Sequence, residues 1–498
     1  MSERKLGITL SYLNLLLHTV IGFLYVPILL HYIGKSEYGL YQLIGSLIAY
    51  FGIMDFGLTN AIVRFYAGYR AVQDQFHMEN LLAVSLRLYG MVAGVMLAAG
   101  GCCYLFLDTI FGDTMTGQEL LSAKQLFLLL LFNITVTLTT MLFRAVINAE
   151  EKFLFLKGTE LLQLVLQPIL VVLILQEYPY AFSVALVQTG LNVVLILARI
   201  YYCFVHLRIS ICFHGWDWDL LRDFRKLALS LFAVSLIDQV FFRTNQVILG
   251  IIDGAGAVAV YSIASLVYMN YMSLSTAISG VYLPHVTAMI ARRASMKEIS
   301  TLFIQIGRAQ YFLLLLVLTG FIIFGQQFIQ LWAGKDFLPA YWMTLLVIVP
   351  FTVDLIQNVG LSILQALNQY DFRAKVYLGM GIVNLMLAIP LGIRWGGTGC
   401  AFATGLCMFL GNGLIMNWYY SRVVGLDIAG FWKQIGKITT VGLLCLIVGM
   451  ILNDCLASDS LAGFAGKMLA YVLLYAGGMW KLALDTDEKA RFRKVLTK

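Results

Sequence analysis

A chain of 498 residues that is 60% hydrophobic and only 12% charged, with mean hydropathy +0.84, excludes a soluble globular enzyme, whose apolar share is about half and whose charged share is about a quarter. The formal net charge of +7 would suit nucleic acid, but the basic residues fall where lipid headgroups would meet them, so no nucleic-acid partner is expected. What remains is an all-α polytopic membrane protein.

The first apolar segment, residues 6–32, is too long for a signal-peptide core and has no A-x-A exit, so it reads as a retained helix. Runs of roughly 20 apolar residues then give about fourteen crossings in chain order. Six centre near Val20, Phe51, Met96, Val136, Ile169 and Val193. Six more centre near Val240, Ser273, Val317, Phe351, Met386 and Met408, and a last pair near Leu444 and Tyr471. The loops opposite the N-terminus hold only Lys35, Lys124, Lys335, Arg394 and Lys467. Arg4, Arg70, Lys152, Arg225, Arg292, Arg373, Lys437 and the tail residues Arg491, Arg493 and Lys494 fall on the N-terminal side. The positive-inside rule therefore puts both termini in the cytoplasm. Polar stretches stay short, so no sizeable soluble domain projects on either side. The 8 cysteines, including the adjacent Cys102 and Cys103, lie mostly in apolar segments and read as small hydrophobes, with no disulfide or metal framework.

The chain repeats itself at an offset of 220 residues. Gly34 matches Gly254, Tyr41 matches Tyr261, Leu29 matches Leu249, Asn148 matches Asn368, Ala181 and Phe182 match Ala401 and Phe402, and Asn192 matches Asn412. Pro168 and Pro390 fall at similar depth in spans five and eleven. This predicts two pseudo-symmetric six-helix lobes, 1–208 and 225–421, joined by a cytoplasmic loop over 209–224. Two extra helices follow over 422–484, then a cytoplasmic tail over 485–498. An even helix count gives both lobes one orientation, with substrate held between them, an architecture suited to alternating access.

Polar groups in the spans must pair, face a hydrated cavity or lose their charge. Span ten carries Asp354, Asn358, Ser362 and Gln365 along one predicted helix face, with Gln357 beside them. Span four carries Asn133, Thr137, Thr140, Arg144 and Asn148, span five Glu160, Gln163 and Gln167, and span eight Ser262, Ser265, Thr276 and Ser279. Stripes of amides and charges on both halves favour a wet cavity over isolated interhelical hydrogen bonds. His18 and Asp238 occupy equivalent depths in spans one and seven, and the two could pair structurally. Asp55 sits between Gly52 and Gly57, which permit a helix break that it could cap. Arg243, in "FFRTNQVILG", stands about 27 Å along span seven from Arg225. Either it snorkels to the outer headgroups, or it is a fixed cavity cation for an anionic substrate group. The second reading is favoured, because a guanidinium fork suits phosphate.

"GKSEYGLYQLIGSLIAYFGIMDFGLTNAIVRF" and "VAVYSIASLVYMNYMSLSTAISGVYLPHV" resemble the bacterial oligosaccharide flippases. These translocate repeat units of O-antigen, capsule and exopolysaccharide, within the multidrug, oligosaccharidyl-lipid and polysaccharide exporter superfamily. The resemblance covers nearly the whole chain. It implies two six-helix lobes in a V shape around a cationic cavity. It also implies a substrate of undecaprenyl pyrophosphate bearing a short oligosaccharide, moved from the inner to the outer leaflet of the cytoplasmic membrane. Membrane lipids, a pathway polymerase and glycosyltransferases are the partners it suggests. Arg243, Asp238, His18, Asn358, Gln357, Ser265 and Tyr268 are the candidate substrate-binding residues, and Tyr261 and Tyr271 offer further sugar-facing rings. Arg64, Arg144 and Arg308 lie near the cytoplasmic ends, where they could equally anchor to headgroups. No cofactor is implied. A coupling cation, H+ or Na+, would fall to Asp55, Asp238 or Asp354, and no Walker motif points to ATP. The rivals are a multidrug antiporter of the same superfamily and a membrane glycosyltransferase or polymerase. The latter would use "DWD" at Asp217–Asp219 or "DTD" at Asp485–Asp487 as a metal-binding DxD, a weak three-residue signal with no domain to hold a nucleotide sugar.

Overall fold

The computed structural model describes residues 3–216, 218–367, 369–455, 460–485 and 488–489. Asp217, Asn368, Asp487, Arg491, Arg493 and Lys494 lie outside the described residues, as do the side chains of Arg4, Asp219 and Arg225. Every regular element among the described residues is helical, as expected where backbone groups have no water to satisfy them. In chain order these are α1 (Glu3–Phe51), α2 (Leu58–Ala71), α3 (Gln75–Phe111), α4 (Gly117–Ala149), α5 (Phe153–Leu175), α6 (Ala181–Tyr201), α7 (Trp218–Ile252) and α8 (Ala255–Ser279). They continue as α9 (Leu283–Ala291), α10 (Met296–Trp332), α11 (Pro339–Leu355), α12 (Val359–Ala366), α13 (Tyr370–Met408), α14 (Met416–Tyr419), α15 (Ile428–Cys455) and α16 (Leu461–Leu482). By their internal contacts the residues form two compact units, Met1–Ser262 and Ile263–Lys498.

Among the described residues, 10 stretches are long and apolar enough to cross a membrane. Two of them, Leu17–Ala71 and Tyr370–Val424, are 55 residues each, more than twice what one crossing requires. The sequence count of about fourteen and this count part there and at α7 and α16, which lie outside the ten. The two longest helices each bend at a glycine with positive φ, α1 at Gly34 (φ 74°) and α13 at Gly396 (φ 56°).

In the first unit α1 packs on α4, α5, α6 and α7, while α4 also packs on α2, α3 and α6. The buried centre between α2, α3 and α4 is apolar, built from Ile62, Tyr66, Leu82, Tyr89, Leu142 and Val146 among others. Capping matches the sequence locally. Thr116 and Glu119 form a reciprocal capping box at the start of α4, and Asp74 caps α3 through the His77 amide. In the second unit α10 packs on α11, α15 and α16, and α11 on α13.

The predicted continuous polar face of span ten is not there. The helix breaks after Leu355 and restarts at Val359. Between them the chain makes i→i+3 bonds, with Gln357 N donating to Asp354 O at 3.0 Å and Gly360 N to Gln357 O at 2.7 Å. Tighter winding rotates the later residues away from the earlier face. Asp354 and Ser362 therefore do not share one stripe.

Candidate functional site

The stretch that includes Arg243 lies on α7, which packs along α1. Successive helical residues point about 100° apart, so Arg243, Thr244, Asn245 and Gln246 address four directions. Three of them are engaged. The Thr244 hydroxyl shares a hydrogen bond with that of Tyr50. Asn245 Nδ2 donates to Tyr261 Oη at 2.7 Å. Gln246 Oε1 accepts from the Ser46 hydroxyl, and its Nε2 donates to Ser262 Oγ at 3.0 Å. Arg243 is half-buried and has neither a hydrogen bond nor an ion pair among the described residues. It acts electrostatically on the neighbouring Tyr50 hydroxyl.

His18 is exposed and Asp238 half-buried. Ser265 and Tyr268 are buried and bond to each other at 3.0 Å. Gln357, 3% exposed, has neither amide atom bonded among the described residues, and Asn358 is half-buried on the turn after α11. The helix does break beside Asp55, where Phe56 and Gly57 take left-handed backbone angles. Among the described residues the Asp55 carboxylate caps no amide. It accepts from the Thr59 hydroxyl at 2.8 Å and the Tyr89 hydroxyl at 2.9 Å.

Arg373, read as a headgroup anchor, and Arg308, for which that role stood as one of two readings, are both buried. Arg373 is 7% exposed, pairs with Asp354 at 3.6 Å and donates to Asn412. Arg308 is 3% exposed and holds Glu488 through two 2.8 Å bonds. Both escape the headgroup role because a carboxylate is available in the protein, and an unpaired buried cation would cost far more than a paired one. Arg64 is exposed, in keeping with an anchor.

The sequence reading did not single out Lys157 or Arg199. With Arg144 they surround Glu160 between α1, α4, α5 and α6. Arg144 Nη2 donates to Glu160 Oε1 at 2.7 Å, Lys157 Nζ to Oε2 at 2.9 Å and Asn14 Nδ2 to Oε2 at 3.4 Å. Arg199 interacts electrostatically with both Arg144 and Glu160. A polar column continues from this cluster. Asn192 Nδ2 donates to Asn133 Oδ1 and to Thr137 Oγ1, each at 2.7 Å, and further on the Tyr41 hydroxyl donates to Gln188 Oε1 at 2.7 Å. The only signal in the sequence was that all four helices carry polar residues. Which of them converge depends on how the helices pack.

The sequence pattern of the family described as polysaccharide biosynthesis protein matches residues 7–290, more than half of the chain. The protein belongs to that family. A Shigella flexneri relative of this polysaccharide biosynthesis protein, named "Putative O-antigen transporter", is 22% identical over 411 residues, 78% of this chain and 91% of that one. Among solved structures, the chain is similar to the lipid II flippase MurJ in an inward closed conformation. The TM-score is 0.75 at 15% identity, covering 99% of this chain and 100% of that one. An inward-facing multidrug transporter of the MATE family gives 0.64 at 14% identity, covering 84% and 96%. At these identities the structures speak to fold alone, and they show that this family member has the fold of that exporter superfamily. It is a multi-pass membrane protein of polysaccharide biosynthesis.

Proposed function

We propose that the protein moves undecaprenyl-pyrophosphate-linked oligosaccharide repeat units from the inner to the outer leaflet of the bacterial cytoplasmic membrane by alternating access. The observation that carries this reading is Arg243. It is a permanently charged fork on α7, with no hydrogen bond or ion pair among the described residues, while Thr244, Asn245 and Gln246 beside it are engaged. A cation in that position costs about 3 kcal/mol even on the lenient insertion scale, and a diphosphate would offset the cost through charge-assisted bonds. The family and the names of the relatives support a lipid-linked polysaccharide cargo. The head group enters from the side bearing both termini, while the polyprenyl tail stays in lipid. Asp55 and Asp238 are the carboxylates we assign to a coupling ion, H+ or Na+. Asp354 is less suited, because Arg373 already neutralises it. The pathway's glycosyltransferases supply the cargo and its polymerase consumes it.

The test is leaflet exchange of a fluorescent lipid-linked oligosaccharide in liposomes holding the purified protein. Arg243→Ala should slow exchange by about tenfold or more, the equivalent of one lost charge-assisted contact. Exchange at the normal rate by a folded Arg243→Ala protein removes the diphosphate role of this residue. Resistance to cationic drugs that disappears on deletion of the protein would favour the multidrug reading instead.

A further inference from the structure

The geometry points to a second anion site, within Met1–Ser262. Arg144, Lys157 and Arg199 receive a diphosphate at the end of the helix bundle where the N-terminus lies, and Glu160 holds the anion's place until it arrives. This rests on the reading that the cargo is a lipid-linked diphosphate, and it adds a contact that Arg243 does not supply.

The placement follows from the helices. Arg144 is five residues before the end of α4, Arg199 two before the end of α6, and Lys157 four after the start of α5. The C-terminal ends of α4 and α6 and the N-terminal end of α5 lie on one side of the membrane. α4 packs on α6, α5 on α6, and α1 on all three, so the charged groups meet between these helices. Among the described side chains, three cations meet one carboxylate, an excess of two positive charges. A purely structural ion pair that fastens helices together balances its charges, because each uncompensated one is costly in this setting.

The hydrogen-bond inventory sharpens the point. Glu160, 16% exposed, spends Oε1 on Arg144 and Oε2 on Lys157 and Asn14. Arg199 Nε is buried without a hydrogen-bond partner among the described residues. The single carboxylate therefore does not satisfy its own cluster. A diphosphate brings at least two negative charges and several acceptor oxygens, enough for both guanidinium groups and the ammonium. Arg144 remains 41% exposed, which leaves a way in. Glu160 matters to release as well as to rest. When the ligand leaves, the carboxylate takes back the cations, so the site does not become a trap.

The experiment uses full-length protein in detergent carrying Arg243→Ala, so that binding reports the cluster alone. Inorganic pyrophosphate and inorganic phosphate are titrated, and binding is read by calorimetry and thermal shift. We expect saturable, salt-sensitive binding of pyrophosphate, with inorganic phosphate several-fold weaker. Arg199→Gln should weaken pyrophosphate binding by about tenfold or more, while Arg199→Lys keeps most of it. Glu160→Gln should tighten it by about tenfold, since the competitor is gone. Wild-type affinity in Arg199→Gln, weaker binding in Glu160→Gln, or equal loss in both Arg199 variants with a lowered melting temperature would overturn the proposal. Equal affinity for monophosphate would assign the cluster to ordinary phospholipid headgroups and also overturn it. Pyrophosphate binding as expected, without leaflet exchange by the Arg243-containing protein, sinks the flippase reading and leaves the site standing. Leaflet exchange without pyrophosphate binding sinks only the site.

Discussion

Arg308 shows how a residue's role depends on who its neighbours are. The sequence leaves it near a helix end, in a position to reach headgroups. In the structure its Nε and Nη2 each donate to Glu488 at 2.8 Å, Nη1 donates to Gln434 Oε1 at 2.6 Å, and Nη2 also reaches Ala483 O at 3.2 Å. The partners lie 126 to 180 residues away, beyond any local pattern. Glu488→Ala leaves a buried guanidinium with Asp485, 3.2 Å away but 68% exposed, as its remaining carboxylate among the described residues. The expected loss is about 1.5–3 kcal/mol, seen as a lower melting temperature and as faster proteolysis of the segment after α16. An unchanged protease pattern would show that this contact does not hold the segment. Arg373 gives the same lesson, since its partner Asp354 lies on another helix. Asp55 was the more legible case. Gly52 and Gly57 announced the break, but the hydroxyl of Tyr89, 34 residues on, could not be foreseen.

At the scale of elements, the 220-residue repeat has a structural counterpart. Gly34 and Gly254, matched in sequence, both have positive φ, 74° and 76°. Each lies where one apolar stretch turns into the next, a conformation that side chains with a Cβ rarely adopt. The two differ in surroundings. A Cβ on Gly34 meets nothing within 4 Å, whereas one on Gly254 comes within 2.8 Å of Thr114 O. Gly34→Ala should therefore cost only backbone strain, about 1–3 kcal/mol, and Gly254→Ala more. Melting temperatures of the two variants in one detergent test this order, and the reverse order would contradict it. The break between α11 and α12 was not legible, because no glycine or proline stands at residues 354–358.

For the whole molecule, the positive-inside rule predicts an orientation that can be checked directly. Cys212 is exposed in the connection between α6 and α7, which the crossing count places on the side of the N-terminus. In a variant with every other cysteine replaced, a membrane-impermeant maleimide should label Cys212 only after spheroplasts are permeabilised. Labelling of intact spheroplasts would reverse the assigned topology. Membrane class and helical content were readable from the chain, because they follow from residue counts and from the length of apolar runs. The convergence of Arg144, Lys157 and Arg199 on Glu160, and the capture of Arg308 and Arg373 by distant carboxylates, were decided by tertiary structure alone. Hydropathy sets how deep a residue lies, but the direction in which it points and the charge it meets depend on helix rotation and packing, which no local stretch of sequence encodes.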